Sequence, residues 1–233
     1  MMISIIIPVY NEEDYIQSTV ERLWKYDEDK LVKEIIVVDG GSTDATAEKA
    51  KSKGVVVVSS PKKGRAAQMN YGASVSSGKV LYFLHADTIP PKSFSKDIIK
   101  AINTGFSAGC YMLSFDHHHW FLQASCWFTR FDIDSIRFGD QSLFVTKNVF
   151  IEVRGFGEKH IILEDQDIIR RLKKIGRFTV IKRSVLTSAR KYLDNGIYKT
   201  QAVFFIIYLM YRLGFPQQKL LATYRRLIRQ DKL

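Results

Sequence analysis

Acidic and polar residues follow three predicted β-strands at the points where those strands end. They are Pro8, Tyr10, Asn11 and Glu12 after the first strand, Asp39 and Gly41 at the second, and His85, Ala86 and Asp87 at the fourth. Ligands of open parallel sheets bind at the carboxyl ends of the strands. We therefore expect these residues to share one crevice.

Asp39 precedes two glycines, which place a carboxylate beside a backbone that a ligand can approach closely. A carboxylate in this position can accept hydrogen bonds from a base or from a ribose hydroxyl. The alternative is an aspartate that starts a turn, with Ser42 or Thr43 capping the next helix. The sequence alone leaves both interpretations open.

Asp87 is the candidate metal ligand. A hard divalent cation, Mg²⁺ or Mn²⁺, can be held by few carboxylates when phosphate oxygens and water complete its shell, and it then neutralises a diphosphate leaving group. His85 lies two residues earlier and points to the same side of an extended segment. The alternative interpretation is that Asp87 belongs to a simple turn before Pro90.

Two predicted helix starts carry charged residues. Gly64 and Arg65 open a helix that includes Asn70, and a cation at a helix N-terminus favours an anion there. Glu164 and Asp165 lie in the first turn of another helix, where the helix dipole also favours acids for purely structural reasons. The functional alternative makes one of these two carboxylates a general base, kept ionised by neighbouring arginines.

Short β-branched runs alternate with helical patterns along the chain, which predicts βαβ units, a mostly parallel sheet flanked by helices, and an α/β fold. The predicted strands are Ile3–Val9, Glu34–Asp39, Val55–Val58, Lys79–Leu84, Ala108–Phe115 and Ser142–Val145. The predicted helices are Glu12–Trp24, Ser93–Ile102, Trp120–Phe131, Glu164–Ile175, Asn195–Arg212 and Pro216–Gln230. The whole chain, 1–233, is expected to form a single domain.

Several classes of site are disfavoured by the sequence. It contains no GxGxxG after the first strand, no P-loop and no serine-hydrolase elbow. Three consecutive histidines, His117–His119, cannot converge on one ion from a regular element, so we expect a polar loop there. The aromatic run Trp120–Phe131 is expected to be core or an acceptor-side surface.

The net charge of +11 calls for an anionic partner: nucleic acid, a membrane surface or phosphorylated small molecules. No nucleic-acid-binding motif is present, which disfavours the first. Two cysteines without metal-type spacing are typical of a reducing cytoplasm. The apolar segment Ala202–Tyr211 is too short to span a bilayer, but with Arg212, Arg225, Arg226 and Arg229 it could contact the inner face of a membrane. A buried helix or a dimer contact is the alternative.

Five ordered segments, IIIPVYNEEDYI, EIIVVDGGSTDAT, KGRAAQMNYGAS, VLYFLHADT and EDQDIIRRLKKIGR, together resemble glycosyltransferase family 2, whose inverting members have a GT-A (nucleotide-diphospho-sugar transferase) fold. The resemblance covers about residues 3–182. It looks closest to the bacterial subgroup with VDGGSTD, GRAAQMN and EDxD motifs. It implies a nucleotide-sugar-binding half at about 1–104, an acceptor half at about 105–190 and a C-terminal helical extension at about 191–233.

The resemblance implies a role for each matching residue. The turn Pro8–Glu12 and Asp39 would hold the base and ribose, Arg65 would lie near the base or diphosphate, and Asp87 would bind the metal. Asp165 would take the proton from an unidentified acceptor hydroxyl that attacks the anomeric carbon of a nucleoside-diphosphate sugar. The acceptor site would be bordered by the stretch Phe138, Gly139, Asp140 and Gln141.

The sequence departs from the commoner family pattern at three positions, one of which is Arg154, before Gly155 and Phe156, where many members have GGF. His85 stands where the first aspartate of a DxD motif is usual, and Gly40 replaces the second aspartate of VDDGS. QxxRW, which is usual in processive members, is absent, so a single transfer per encounter is expected. A nucleotidyltransferase is the alternative enzyme, although the turn after the first strand lacks the glycines such an enzyme needs. A non-catalytic basic binding module is the second alternative.

Overall fold

A computed structural model describes residues 1–51, 54–136 and 139–229 of the chain. Its strands are β1 Ile3–Val9, β2 Val32–Asp39, β3 Val56–Ser59, β4 Val80–Phe83, β5 Thr88–Ile89, β6 Ala108–Phe115, β7 Leu143–Thr146 and β8 Phe178–Thr187. Its α-helices are α1 Ile16–Tyr26, α2 Thr46–Lys51, α3 Arg65–Val75, α4 Phe94–Asn103, α5 Trp120–Phe128, α6 Lys147–Glu152, α7 Glu164–Ile175, α8 Arg190–Asn195, α9 Ile197–Arg212 and α10 Gln217–Leu227.

The strands form one sheet in the order β3-β2-β1-β4-β7-β6-β8-β5. β3, β2, β1 and β4 are mutually parallel, and β7 is antiparallel to both of its neighbours. Val9 lies opposite Asp39, so β1 and β2 end side by side, and Ile6 pairs with Phe83 of β4. This register brings the polar residues that follow the three strands to one edge of the sheet, as the sequence predicted.

Both faces of the sheet are covered by helices. In β1, Ile5 and Ile7 contribute to the core under α1 and α4, whereas Ile6 contributes to the core under α3 and α7. The alternation follows from the two-residue period of a strand. A continuous apolar run such as that of β1 is expected when both faces of a parallel strand are buried.

The strand β8, which pairs in parallel with β6, was not predicted from the sequence. The register of that pairing jumps from Ile181, opposite Tyr111, to Ser184, opposite Met112. Lys182 and Arg183 are therefore extra residues that bulge from the strand. A bulge breaks the apolar alternation by which a strand is recognised in a sequence.

Several predicted helix boundaries were wrong. α1 begins at Ile16 rather than at Glu12, because the amides of Glu12 and Glu13 bind side chains of the next turn, Thr46 and Asp44. The predicted helix Asn195–Arg212 is interrupted at Gly196, which has a φ of 88°.

Two other predicted helices are shorter than expected. α5 ends at Phe128 and not at Phe131, and α10 ends at Leu227. Gln230, the predicted end of the last helix, lies outside the described residues.

Candidate active site

The turns after β1 and β2 are cross-linked into one rim of the site. Asn11 adopts a left-handed conformation with a φ of 52°, and its Oδ1 accepts the Thr43 amide at 2.8 Å. The Asn11 amide donates to Ser42 Oγ at 3.0 Å. Tyr10 is exposed on the same turn, whereas Pro8 lies within β1, where it pairs with Val38 of β2. Since each turn holds the other, the rim is fixed before any ligand binds.

The expectation that Ser42 or Thr43 caps the following helix was wrong. The amide of Thr46, the first residue of α2, donates to Asp44 Oδ1 at 3.0 Å. Ser42 and Thr43 are instead bound to Asn11, because their turn packs against the end of β1.

Asp39 is buried and forms the turn that was the alternative interpretation of its role. Its carboxylate accepts the amides of Gly41 at 3.2 Å and Ser42 at 3.1 Å. Gly41 has a φ of +95° and open space where a Cβ would lie, so its backbone is accessible from the crevice. Binding of base or ribose by Asp39 stays a prediction.

Gln68 of α3 ties the ends of β1 and β2 together. Its buried amide donates to the carbonyls of Val9 and Val38, both at 2.8 Å. A Cβ on Gly40 would lie 2.9 Å from Gln68 Nε2. The glycine that departs from the commoner family pattern therefore leaves room for this glutamine.

Asp87 and Glu12 face one arginine that the sequence analysis did not single out. Arg190 Nη2 lies 3.8 Å from Glu12 Oε2 and 3.9 Å from Asp87 Oδ2. The guanidinium also stacks over the ring of Tyr15 at 4.9 Å. Arg190 begins α8, directly after β8, so recognising β8 would have shown that it too follows a strand.

Ala86 is buried between His85 and Asp87 and contributes to the core rather than to an open surface. Its carbonyl accepts a hydrogen bond from Thr19 Oγ1 of α1 at 2.5 Å. α1 therefore fixes the segment that carries His85 and Asp87.

His85 is paired with Asp140, one of the predicted acceptor-side residues. The distance from Nδ1 to Oδ1 is 3.1 Å. Burial disfavours the imidazolium, but the hydrogen bond with Asp140 and the charges of Asp140 and Asp87 leave the pKa of His85 raised. Burial likewise disfavours the Asp140 carboxylate, yet His85, Lys191 and Arg65 hold its pKa below the usual range. The residue in the first DxD position is thus a histidine whose imidazolium form is favoured by two neighbouring carboxylates.

Asp165 lies directly against Gly139. A Cβ on Gly139 would be 2.4 Å from Asp165 Oδ2, so only glycine leaves space for this carboxylate. Burial, and then the negative charge of Glu164, raise the pKa of Asp165 to about 7, although Arg65 and His85 oppose the shift. A carboxylate with such a pKa can accept a proton near neutral pH.

Glu164 has a different environment from its neighbour. It is 3% exposed, and its Oε1 lies 3.4 Å from Nη1 of Arg65, the first residue of α3. Burial disfavours the Arg65 cation, but Glu164, Asp165 and Asp140 raise its pKa, so it remains charged. Of the two predicted catalytic acids, Glu164 is therefore the one paired with Arg65. A general-base role for Asp165 stays a prediction.

Two of the predicted site residues bind the chain's own backbone. Asn70 brackets Phe156, donating to its carbonyl at 2.9 Å and accepting its amide at 2.8 Å. Gln141 is 1% exposed and donates to the carbonyl of Ile136 at 2.9 Å. Contact of these side chains with substrate stays a prediction, and Phe138 lies outside the described residues.

The described residues contain no cluster of three or more histidine, cysteine or acidic side chains that could hold a metal by themselves. The carboxylates of Asp87 and Glu12 nevertheless lie near each other, since both face the guanidinium of Arg190. Mg²⁺ is bound in many enzymes by one or two carboxylates plus substrate phosphates and water. The residues present therefore fit a divalent ion that binds together with a diphosphate.

Solved structures share this architecture. The mannosyltransferase PcManGT from Pyrobaculum calidifontis, in complex with GDP-Man and Mn²⁺, superposes with a TM-score of 0.70 at 16% identity, over 89% of this chain and 61% of that one. Glucosyl-3-phosphoglycerate synthase from Mycobacterium tuberculosis, in complex with Mn²⁺, UDP and glucosyl-3-phosphoglycerate, gives a TM-score of 0.66 at 19% identity, over 92% and 81%. The fold is therefore the GT-A fold of nucleotide-sugar transferases.

Sequence comparisons give the same class. Glycosyltransferase AglE of Haloferax volcanii is 32% identical over 107 residues, and glucosyl-3-phosphoglycerate synthase of Mycobacterium tuberculosis is 36% identical over 99 residues. These stretches cover 43% and 38% of this chain, but only 35% and 30% of the relatives. The family model described as Glycosyl transferase family 2 matches residues 4–154. The chain belongs to glycosyltransferase family 2.

Proposed function

We propose that this enzyme transfers one sugar from a nucleoside-diphosphate sugar to an acceptor hydroxyl, with inversion at the anomeric carbon. The observation that carries the proposal is the position of Asp165, whose carboxylate lies against Gly139 and within the electrostatic influence of Arg65, His85 and Asp140. The site thus offers a base with a raised pKa beside several cations. Displacement by a hydroxyl with loss of a diphosphate needs that combination.

The donor would lie along the edge where β1, β2 and β4 end. The accessible backbone at Gly41 and the rim fixed by Asn11 suit the base and ribose. Arg65, which is paired with Glu164, and Arg190, which is paired with Glu12, would meet the negative charge of the diphosphate. Glu12 and Asp87 would hold Mg²⁺ or Mn²⁺, which when bound would act as a Lewis acid toward the leaving diphosphate.

The displacement would proceed in one step. Asp165 accepts the proton of the acceptor hydroxyl as that oxygen forms its bond to the anomeric carbon. The bond from the anomeric carbon to the diphosphate oxygen breaks on the opposite face, and the electron pair leaves with the nucleoside diphosphate. Arg65, held by Glu164, stabilises the charge that develops, because a preorganised cation costs no reorganisation during the reaction. His85 would add to this stabilisation in its protonated form.

We propose that the reaction takes place in the cytoplasm. The chain has two cysteines, Cys110 and Cys126, without the spacing of a disulfide framework or of a metal site, which suits a reducing compartment. The shape of the donor edge does not specify the sugar, so a panel of donors is the appropriate first substrate set.

Release of nucleoside diphosphate from UDP-, GDP- and dTDP-sugars, with and without Mn²⁺, tests the proposal. Asp165→Asn should lower turnover by about 10²- to 10⁴-fold, the usual contribution of a general base. Asp87→Ala, which removes a proposed metal ligand, should abolish turnover. The matched control is Asp97→Asn. Asp97 lies on α4, and its carboxylate is ion-paired with Arg183 of β8. Undiminished turnover in both site variants would refute the assigned roles.

A further inference from the structure

The outward face of α9 is apolar, although its inward face already supplies the core. Val203 and Ile207 are buried against Leu220 and Tyr224 of α10. On the other side, Tyr198, Phe205, Ile206, Leu209 and Leu213 are exposed by 42–67% of their surface. At 3.6 residues per turn these five side chains fall within roughly a third of the helix circumference. A helix that is apolar on both sides needs a second surface to cover it.

α5 extends this exposed surface. Trp120 is 66% and Trp127 is 48% exposed, and their spacing of seven residues places them on one side of the helix. The ring of Trp120 lies 6.4 Å from that of Tyr198, in the first turn of α9. We call Trp120, Trp127, Phe128, Tyr198, Phe205 and Leu209 the aromatic face. The prediction that these aromatics are core was wrong for the two tryptophans, which are exposed, whereas an acceptor-side surface stays a prediction.

The charge along α9 and α10 is of one sign. Residues 197–229 contain six basic residues and no acidic residue, namely Lys199, Arg212, Lys219, Arg225, Arg226 and Arg229. Lys199 and Arg212 border the apolar stripe of α9 on its two sides, and Arg130 lies over the ring of Trp127 at 4.5 Å. A second copy of the chain would bring the same positive charge against the aromatic face. An anionic surface would complement it.

We propose that the aromatic face docks on an anionic lipid bilayer. Tryptophan and tyrosine are favoured at the boundary between headgroups and acyl chains, and flanking lysine and arginine bind anionic headgroups. In the described part of the chain, none of the helices is both long and apolar enough to cross a bilayer. α9 would therefore lie in the plane of the interface, with its outward stripe in the lipid.

Docking would bring the donor site close to the lipid surface. α9 follows α8, and α8 begins with Arg190, whose guanidinium lies between Glu12 and Asp87. The contact itself needs neither donor nor acceptor. Membrane binding can therefore be measured independently of glycosyl transfer, and the failure of one does not imply the failure of the other.

Co-sedimentation of the full chain with vesicles tests the proposal. The protein should sediment with vesicles that contain phosphatidylglycerol, remain in solution with phosphatidylcholine alone, and be released from the former by high salt. Phe205→Glu combined with Leu209→Glu should abolish sedimentation. Arg225→Gln combined with Arg226→Gln should weaken it and reduce its dependence on salt.

The matched control is Ile151→Glu, which places a charge at an equally exposed apolar position on α6. It should sediment as the unaltered protein does, and circular dichroism should show that every variant is folded. The proposal is overturned if the unaltered protein stays in solution with phosphatidylglycerol vesicles at low salt. It is also overturned if Phe205→Glu with Leu209→Glu binds normally, or if those substitutions instead dissolve a dimer seen by analytical ultracentrifugation.

Discussion

The two neighbouring acids at the start of α7 differ because their surroundings differ. Glu164 is buried beside Arg65, whereas Asp165 is only partly buried and lies against Gly139. Sequence alone could place both in the first helical turn, but it could not show that their surroundings differ. The difference comes from α3 and from Gly139, which are distant in the chain and adjacent in space.

The raised pKa of Asp165 has a consequence for stability. Its value of about 7 in the folded state exceeds the ordinary value of 3.8, so the folded state binds the proton more tightly. This contribution to the free energy of unfolding is fully present below pH 3.8 and is lost as pH rises through 7. Asp165→Asn should therefore raise the melting temperature at pH 8 and raise it less at pH 5. A melting temperature that falls equally at both pH values would contradict this environment.

Arg190 provides a second test at the scale of a residue. Arg190→Ala removes a cation that faces the diphosphate in the proposed complex, and a hydrogen bond to a charged group contributes about 1.5–3 kcal/mol. The affinity for the preferred nucleoside diphosphate, measured by calorimetry, should fall by about 10- to 100-fold. Arg183→Ala is the control, because Arg183 pairs with Asp97 on the surface. Unchanged affinity in Arg190→Ala would remove this residue from the donor site.

At the scale of elements, α3 fixes the edge of the sheet on which the donor is proposed to bind. Gln68→Ala leaves the buried carbonyls of Val9 and Val38 without this donor, which should lower the free energy of unfolding by about 1–3 kcal/mol. Urea denaturation measures the loss. Ser74→Ala, on the exposed side of the same helix, should change stability by about 0.5 kcal/mol or less. Equal effects of the two substitutions would contradict a special role for Gln68.

The parallel half of the sheet could be predicted because its strands are short continuous apolar runs. Ile3–Val9 was predicted with the observed bounds, and Asp39 and Asp87 follow their strands as expected. β8 could not be predicted in the same way, since the bulge at Lys182 and Arg183 interrupts its pattern. Because β8 was missed, Arg190 was missed as well.

Contacts between distant elements also lay beyond the sequence. The pairing of His85 with Asp140 joins the end of β4 to the turn before β7, and no spacing along the chain encodes it. Similarly, apolar periodicity in α9 shows that the helix has an apolar face but does not show which side the rest of the molecule covers.

At the scale of the whole molecule, the side chains available at the site predict that metal binding depends on the nucleotide. Among the residues that the structure describes, Glu12 and Asp87 are not joined by a third side chain of a metal-binding type, so they should hold Mn²⁺ weakly until a diphosphate supplies further oxygens. Mn²⁺ alone should therefore raise the melting temperature little, and the preferred nucleoside diphosphate with Mn²⁺ should raise it more than that nucleotide alone. An equal shift with Mn²⁺ alone would contradict a site that binds metal together with nucleotide.

The central claim is a single displacement at the anomeric carbon with Asp165 as the base. Proton NMR during hydrolysis of an α-linked donor tests it most directly, because water then takes the place of the acceptor and the released sugar reports the face of attack. A single displacement predicts that the β-anomer appears first. With Asp165 as the base, Asp165→Asn should release almost no sugar while still binding the nucleotide. Release of the α-anomer first, or undiminished release by Asp165→Asn, would contradict it.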